Sequence, residues 1–164
     1  MFSLRIGADI RPFNIFENGQ FSIDAFEQAL SKVQNKKAML ILNFPQNPTG
    51  YTPTQDEAKR LVDIVSTHPG KLVVLCDDAY SGMVFADGVM TRSIFWDLLE
   101  SVDLSRTLPV RVDGVTKELL FYSARVGFIT HGLTGPAADV LESKMKCLGR
   151  GSVGSPPGPS QAMV

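Results

Sequence analysis

Two almost uninterrupted apolar runs of strand length, residues 37–44 (KAMLILNF) and 71–76 (KLVVLC), flank a segment whose apolar residues recur at helical spacing. A strand covered on both faces reads as a continuous apolar run, and two such strands joined by a helix predict an α/β layer structure. The polypeptide breaks sharply after the first run. Pro45 and Pro48 carry no N–H for a ladder, and Asn47-Pro48-Thr49-Gly50 has strong turn chemistry. Thr54 with Glu57 three residues later forms a capping box, and Ala58, Leu61, Val62 and Val65 supply the inward face of the helix it opens. That helix is expected to stop near His68-Pro69-Gly70.

Residues 1–20 show no sustained period and read as extended, whereas Ile23, Phe26, Leu30 and Val33 place a buried stripe on a helix starting at Ser22. A short helix over 93–100 carries Trp96 and Leu99. Strands are expected at 107–112 and 126–130, and a helix at 137–148 after Gly135-Pro136. The tail, 149–164, begins rich in Gly, Ser and Pro and is expected to be a loop. This order argues a single α/β domain over 1–164.

Charge narrows the partners. Sixteen basic against seventeen acidic residues leave a formal net charge of −1, which gives no electrostatic reason to expect nucleic acid or an anionic membrane. Two distant cysteines, Cys76 and Cys147, do not form a disulfide framework and fit a reducing compartment, with cytoplasm as the default. No stretch approaches about 18 consecutive apolar residues, so no membrane span is expected. His68 and His131 lack a second ligand at metal spacing, so no metal site is expected. Gly149-Arg150-Gly151-Ser152-Val153-Gly154 has dinucleotide-loop spacing but follows a helix pattern instead of a strand, which argues against that use. Cys76, inside an apolar strand, reads as a small hydrophobe.

The chemistry-bearing residues fall at or near strand ends: Asn47, Asp77 with Tyr80, Lys117 and Arg125. Singly, each has an ordinary reading as a turn former, a helix cap or a solvated surface charge. Jointly they suit pyridoxal phosphate. A lysine amine forms a Schiff base with the cofactor aldehyde and then shuttles a proton at the substrate α-carbon. An aspartate keeps the pyridine nitrogen protonated, a tyrosine hydroxyl and an asparagine amide donate to the ring oxygen, and an arginine takes the phosphate.

Asn47-Pro48-Thr49-Gly50, Asp77-Asp78-Ala79-Tyr80, and Thr116-Lys117 with Arg125-Val126-Gly127-Phe128 resemble, in order and approximate spacing, the class I/II aminotransferases of the aspartate aminotransferase fold. The resemblance implies a mostly parallel, mixed sheet flanked by helices, forming the central part of a large cofactor-binding domain. It implies pyridoxal 5'-phosphate as cofactor, Lys117 as the Schiff-base lysine, Asp77 as the pyridinium partner, Asn47 and Tyr80 at the ring oxygen, and Arg125 at the phosphate. It further implies transfer of an amino group from an amino acid to a 2-oxo acid by a homodimeric parent. A β-lyase of the same fold and an aminotransferase-like sensing domain of a transcription regulator are the alternatives.

Two departures accompany it. Gly114 stands where many members have a phosphate-facing serine. The resemblance also covers only the middle of longer relatives, so the chain is expected to be an incomplete and inactive portion of its parent. Ser155-Pro156-Pro157-Gly158 resembles the segment that approaches the neighbouring site in family dimers.

Overall fold

In the computed structural model, which describes residues 7–34, 36–154 and 157–164, the first regular structure is a hairpin where the sequence suggests only extended chain. Phe16–Glu17 (β1) pairs antiparallel with Gln20–Phe21 (β2). Asn18 and Gly19 between them take φ of 51° and 78°, the doubly positive pair that a two-residue hairpin turn requires. Ile23–Ser31 (α1) follows, its N-terminus capped by the Ser22 hydroxyl, which accepts from the Ala25 N–H at 3.2 Å. Ile23, Phe26 and Leu30 are its buried stripe, as their spacing predicts.

The main sheet is built from Lys37–Asn43 (β3), Lys71–Asp77 (β4), Thr107–Gly114 (β5) and Gly127–His131 (β6), in that spatial order. The first three strands are parallel and β6 is antiparallel. Gln55–Ser66 (α2) connects β3 to β4, and Ile94–Ser101 (α3) connects β4 to β5. The Thr54–Glu57 capping box forms in full. The two crossovers bring α2 and α3 against one sheet face, where Leu61, Val65, Ile94, Phe95 and Leu98 join Leu42, Leu72, Val74 and Cys76 in one core. Each fully buried aliphatic or aromatic side chain there stabilises the fold by about 1.5–3 kcal/mol. On α3 the inward residues are Ile94, Phe95 and Leu98; Trp96 is 41% exposed, so it does not anchor that helix.

Coverage of the strands on both faces is not what β3 shows. Leu40 and Leu42 are buried beneath the helices, whereas Met39 and Ile41, on the opposite pleat, are 63% and 58% exposed.

Lys117 lies in a short helix, Val115–Glu118 (α4), which begins directly after β5. A 3-10 turn at Tyr122–Ala124 leads into β6. The expected loop from residue 149 is also corrected. Gly135–Ser152 (α5) runs through Gly149 and Gly151, where an added Cβ would meet open space, and ends with Gly154 at φ 75°. Glycine in an exposed helix costs only about 1 kcal/mol each, which an 18-residue helix tolerates, and the left-handed glycine ends it. A second short helix, Gly158–Ala162 (α6), follows; Ser155 and Pro156, part of the dimer-like segment, lie outside the described residues. The glycine triplet of the dinucleotide-like spacing therefore sits at a helix carboxyl end, which presents carbonyls and no free N–H groups to a phosphate. Among the described residues, no helix is long and apolar enough to cross a membrane.

Candidate active site

Parallel register brings the carboxyl ends of three strands level. Asn43 lies beside Asp77, and Asp77 beside Val112. Loops leaving such an edge converge above it, the usual place for a ligand in an open α/β sheet.

From β3 the chain enters the turn holding Asn47, Pro48, Thr49 and Gly50. The Gln46 N–H donates to the Tyr51 carbonyl at 2.8 Å and the Gly50 N–H to the Gln46 carbonyl at 2.7 Å, with Gly50 at φ 73° closing the turn. Asn47 is exposed, and its backbone N–H donates to Asn43 Oδ1 at 2.9 Å. Asp77 ends β4, half-buried, and one carboxylate oxygen accepts from the Ala79 N–H at 3.2 Å. The turn that follows presents Tyr80.

From β5 the approach is tighter. Gly114 pairs with Gly127, and a Cβ on Gly114 would stand 2.9 Å from the Val126 carbonyl oxygen and 3.2 Å from Gly127 Cα. Contact between two backbones thus leaves no room for a side chain at this position. Val115 is buried and anchors α4, while Lys117 is exposed and its Nζ lies 5.4 Å from the centre of the Tyr80 ring. Arg125 takes left-handed backbone angles (φ 55°, ψ 40°), and its guanidinium donates to the Tyr122 carbonyl at 3.2 Å. Among the described residues it makes no hydrogen bond or ion pair with Asn47, Asp77, Tyr80 or Lys117. It lines an open cleft of about 480 Å³ with Phe128 and Gln161.

The structure therefore brings Lys117 and Tyr80 together, sets Asp77 on the same sheet edge, links Asn47 to that edge through Asn43, and leaves Arg125 apart. The donor chemistry fits pyridoxal phosphate. The Asn47 side-chain amide and the Tyr80 hydroxyl have no hydrogen-bond partner among the described residues, so both are available to an oxygen of a bound ring.

Two further residues were not evident from sequence. Asn43 is the bridge just described. Arg111, on β5, pairs through Nε with Asp78 Oδ2 at 2.5 Å and through its terminal nitrogen with Asp113 Oδ2 at 2.7 Å. Burial pushes the Asp78 carboxyl up, opposed by the Ser93 hydroxyl and the Arg111 guanidinium. Asp113 Oδ1 is buried without a hydrogen-bond partner. Strand alternation places Arg111 and Asp113 on one pleat of β5.

The sequence model of the aminotransferase class I and II family matches residues 2–163. The chain belongs to that family, whose cofactor is pyridoxal phosphate. It is 32% identical over 134 residues to 1-aminocyclopropane-1-carboxylate synthase 8 of Arabidopsis thaliana, covering 76% of this chain and 28% of that protein. It is 31% identical over 114 residues to a probable aspartate/prephenate aminotransferase of Rickettsia bellii, covering 70% of this chain and 26% of that one. The chain thus spans about a quarter of the length of these curated relatives. Its fold is that of an aminotransferase from Anaerococcus prevotii, with a TM-score of 0.79 at 18% identity over 98% of this chain and 41% of that one. The aspartate aminotransferase of Saccharomyces cerevisiae cytoplasm gives 0.74 at 21% identity, over 94% and 39%.

Proposed function

We propose that this chain supplies the cofactor-anchoring face of a pyridoxal-phosphate-dependent aminotransferase acting between an amino acid and a 2-oxo acid. The observation that carries the reading is the meeting of Lys117 and Tyr80 beside Asp77 at one sheet edge. Bound pyridoxal phosphate supplies an electron sink for the pair left on the substrate α-carbon. The Lys117 amine would hold the cofactor covalently and would move a proton at that α-carbon. The Asp77 carboxylate accepts the pyridine N–H and so favours its protonated form. The Asn47 amide and the Tyr80 hydroxyl donate to the ring oxygen. Arg125 offers a planar, permanently charged donor suited to the phosphate.

We infer a cytoplasmic location, supported by relatives named as cytoplasmic aspartate aminotransferases, and a homodimeric parent from the family resemblance alone. The relationship to 1-aminocyclopropane-1-carboxylate synthase favours a second reading, a pyridoxal-phosphate-dependent lyase using the same anchor. Product analysis separates the two. A transferase turns over repeatedly only when a 2-oxo acid is present and returns that acid aminated, releasing at most one equivalent of product per site without it; repeated turnover of the amino acid alone defeats the transferase reading.

A further inference from the structure

We propose that Asn43 is a positioning residue that couples the ring-oxygen donor Asn47 to Asp77; the inference rests on the functional reading above. Asn43 ends β3 level with Asp77. Its Nδ2 donates to the Asp77 carbonyl at 3.0 Å, and its Oδ1 accepts from the Asn47 backbone N–H at 2.9 Å. One planar side chain therefore grips the end of β4 and the turn leaving β3 at once. Among the described residues, no hydrogen bond runs directly from residues 45–50 to β4 or to the turn after it, so Asn43 is the polar link between them.

The residue type follows from the two bonds. A primary amide holds a donor and an acceptor in one rigid group, and both are needed here. Aspartate keeps the acceptor for Asn47 but turns a carboxylate oxygen toward the Asp77 carbonyl. Alanine loses both bonds. The bonded groups are backbone atoms of residues assigned to the cofactor, so Asn43 acts through them and touches no reacting atom.

The test uses the holoprotein and follows the pH at which the absorbance of bound pyridoxal phosphate changes. Asn47→Ala removes a ring-oxygen donor and moves that midpoint, by about one pH unit. Asn43→Ala is expected to move it in the same direction, and the double variant no further than Asn47→Ala alone. In the cofactor-free protein, hydrogen exchange at the Asn47 N–H is expected to rise at least about tenfold in Asn43→Ala and to stay near wild type in Asn43→Asp. Asn43→Asp serves in the absorbance series as well if Asn43→Ala does not fold. An unmoved midpoint in the Asn43 variants, or shifts that add in the double variant, overturns the inference even if their melting temperatures fall. A wild-type parent protein with no cofactor spectrum overturns the functional reading and this inference with it, which distinguishes the two failures.

Discussion

The Lys117 ammonium lies 5.4 Å from the centre of the Tyr80 ring, so the proposed anchor and a proposed ring-oxygen donor come from different strands yet meet above one edge. An aromatic face within about 6 Å attracts a cation. Tyr80→Phe keeps the ring and removes only the hydroxyl. Cofactor affinity is expected to fall about 10- to 100-fold, the effect of losing one hydrogen bond to a charged oxygen. An absorbance titration with pyridoxal phosphate measures it, and an unchanged affinity contradicts Tyr80 as a ring contact.

Gly114 gives a second prediction. A serine at this position puts a Cβ 2.9 Å from the Val126 carbonyl oxygen, and backbone on both sides cannot swing away as a side chain would. Gly114→Ser should destabilise the protein by about 1–3 kcal/mol. Melting temperature should drop by about 2–4 °C for each kcal/mol lost. A variant that melts like wild type would show that β5 and β6 separate easily.

The capping box of α2 predicts a pH dependence. Burial pushes the Glu57 carboxyl up, but the Thr54 N–H, the Tyr51 and Thr54 hydroxyls and Arg60 outweigh it and hold the group below its ordinary value of 4.5. A carboxyl with a lowered folded value binds fewer protons folded than unfolded. Its contribution is complete above about pH 4.5 and is lost as pH falls through the folded value. Glu57→Ala should therefore cost about 1 kcal/mol at neutral pH, and its difference from wild type should shrink in acid unfolding series. A difference that stays constant with pH rules out the carboxylate as its source.

The two cysteines should differ in reactivity. Cys76 is buried, and burial with the nearby Asp78 charge pushes its thiol up to about 12 against the opposing Arg111. Cys147 is exposed on α5. Alkylation of the native protein near pH 8 should add one group, at Cys147, and alkylation after denaturation two, as read by intact mass. Two adducts on the native protein would mean that β4 opens readily.

Strands β3 and β4, helix α2 and the order of the site residues were legible because each carries a local signature: a continuous apolar run, a capping box, a proline-glycine turn. What escaped was set by pairs distant in sequence. The Asn18-Gly19 turn carries a hairpin signature, but its strands are only two residues each, too short to show alternation. Asn43 sits inside an apolar run, and its role depends on Asp77 arriving beside it in register. Arg111 reads as one charge in a strand until Asp78, just past the end of the neighbouring β4, closes on it. The helix over Gly149 and Gly151 contradicts local propensity, and the extra turn is held by the Ser152 hydroxyl donating to the Leu148 carbonyl at 2.7 Å and by Gly154 beyond it.

The central claim is that Lys117 is the covalent anchor. Borohydride reduction of the protein loaded with pyridoxal phosphate, followed by peptide mass analysis, tests it directly. The account predicts the reduced cofactor on Lys117, with neither the adduct nor the cofactor absorbance recovered in Lys117→Ala. A cofactor attached to another lysine, or an unchanged spectrum in Lys117→Ala, would contradict it.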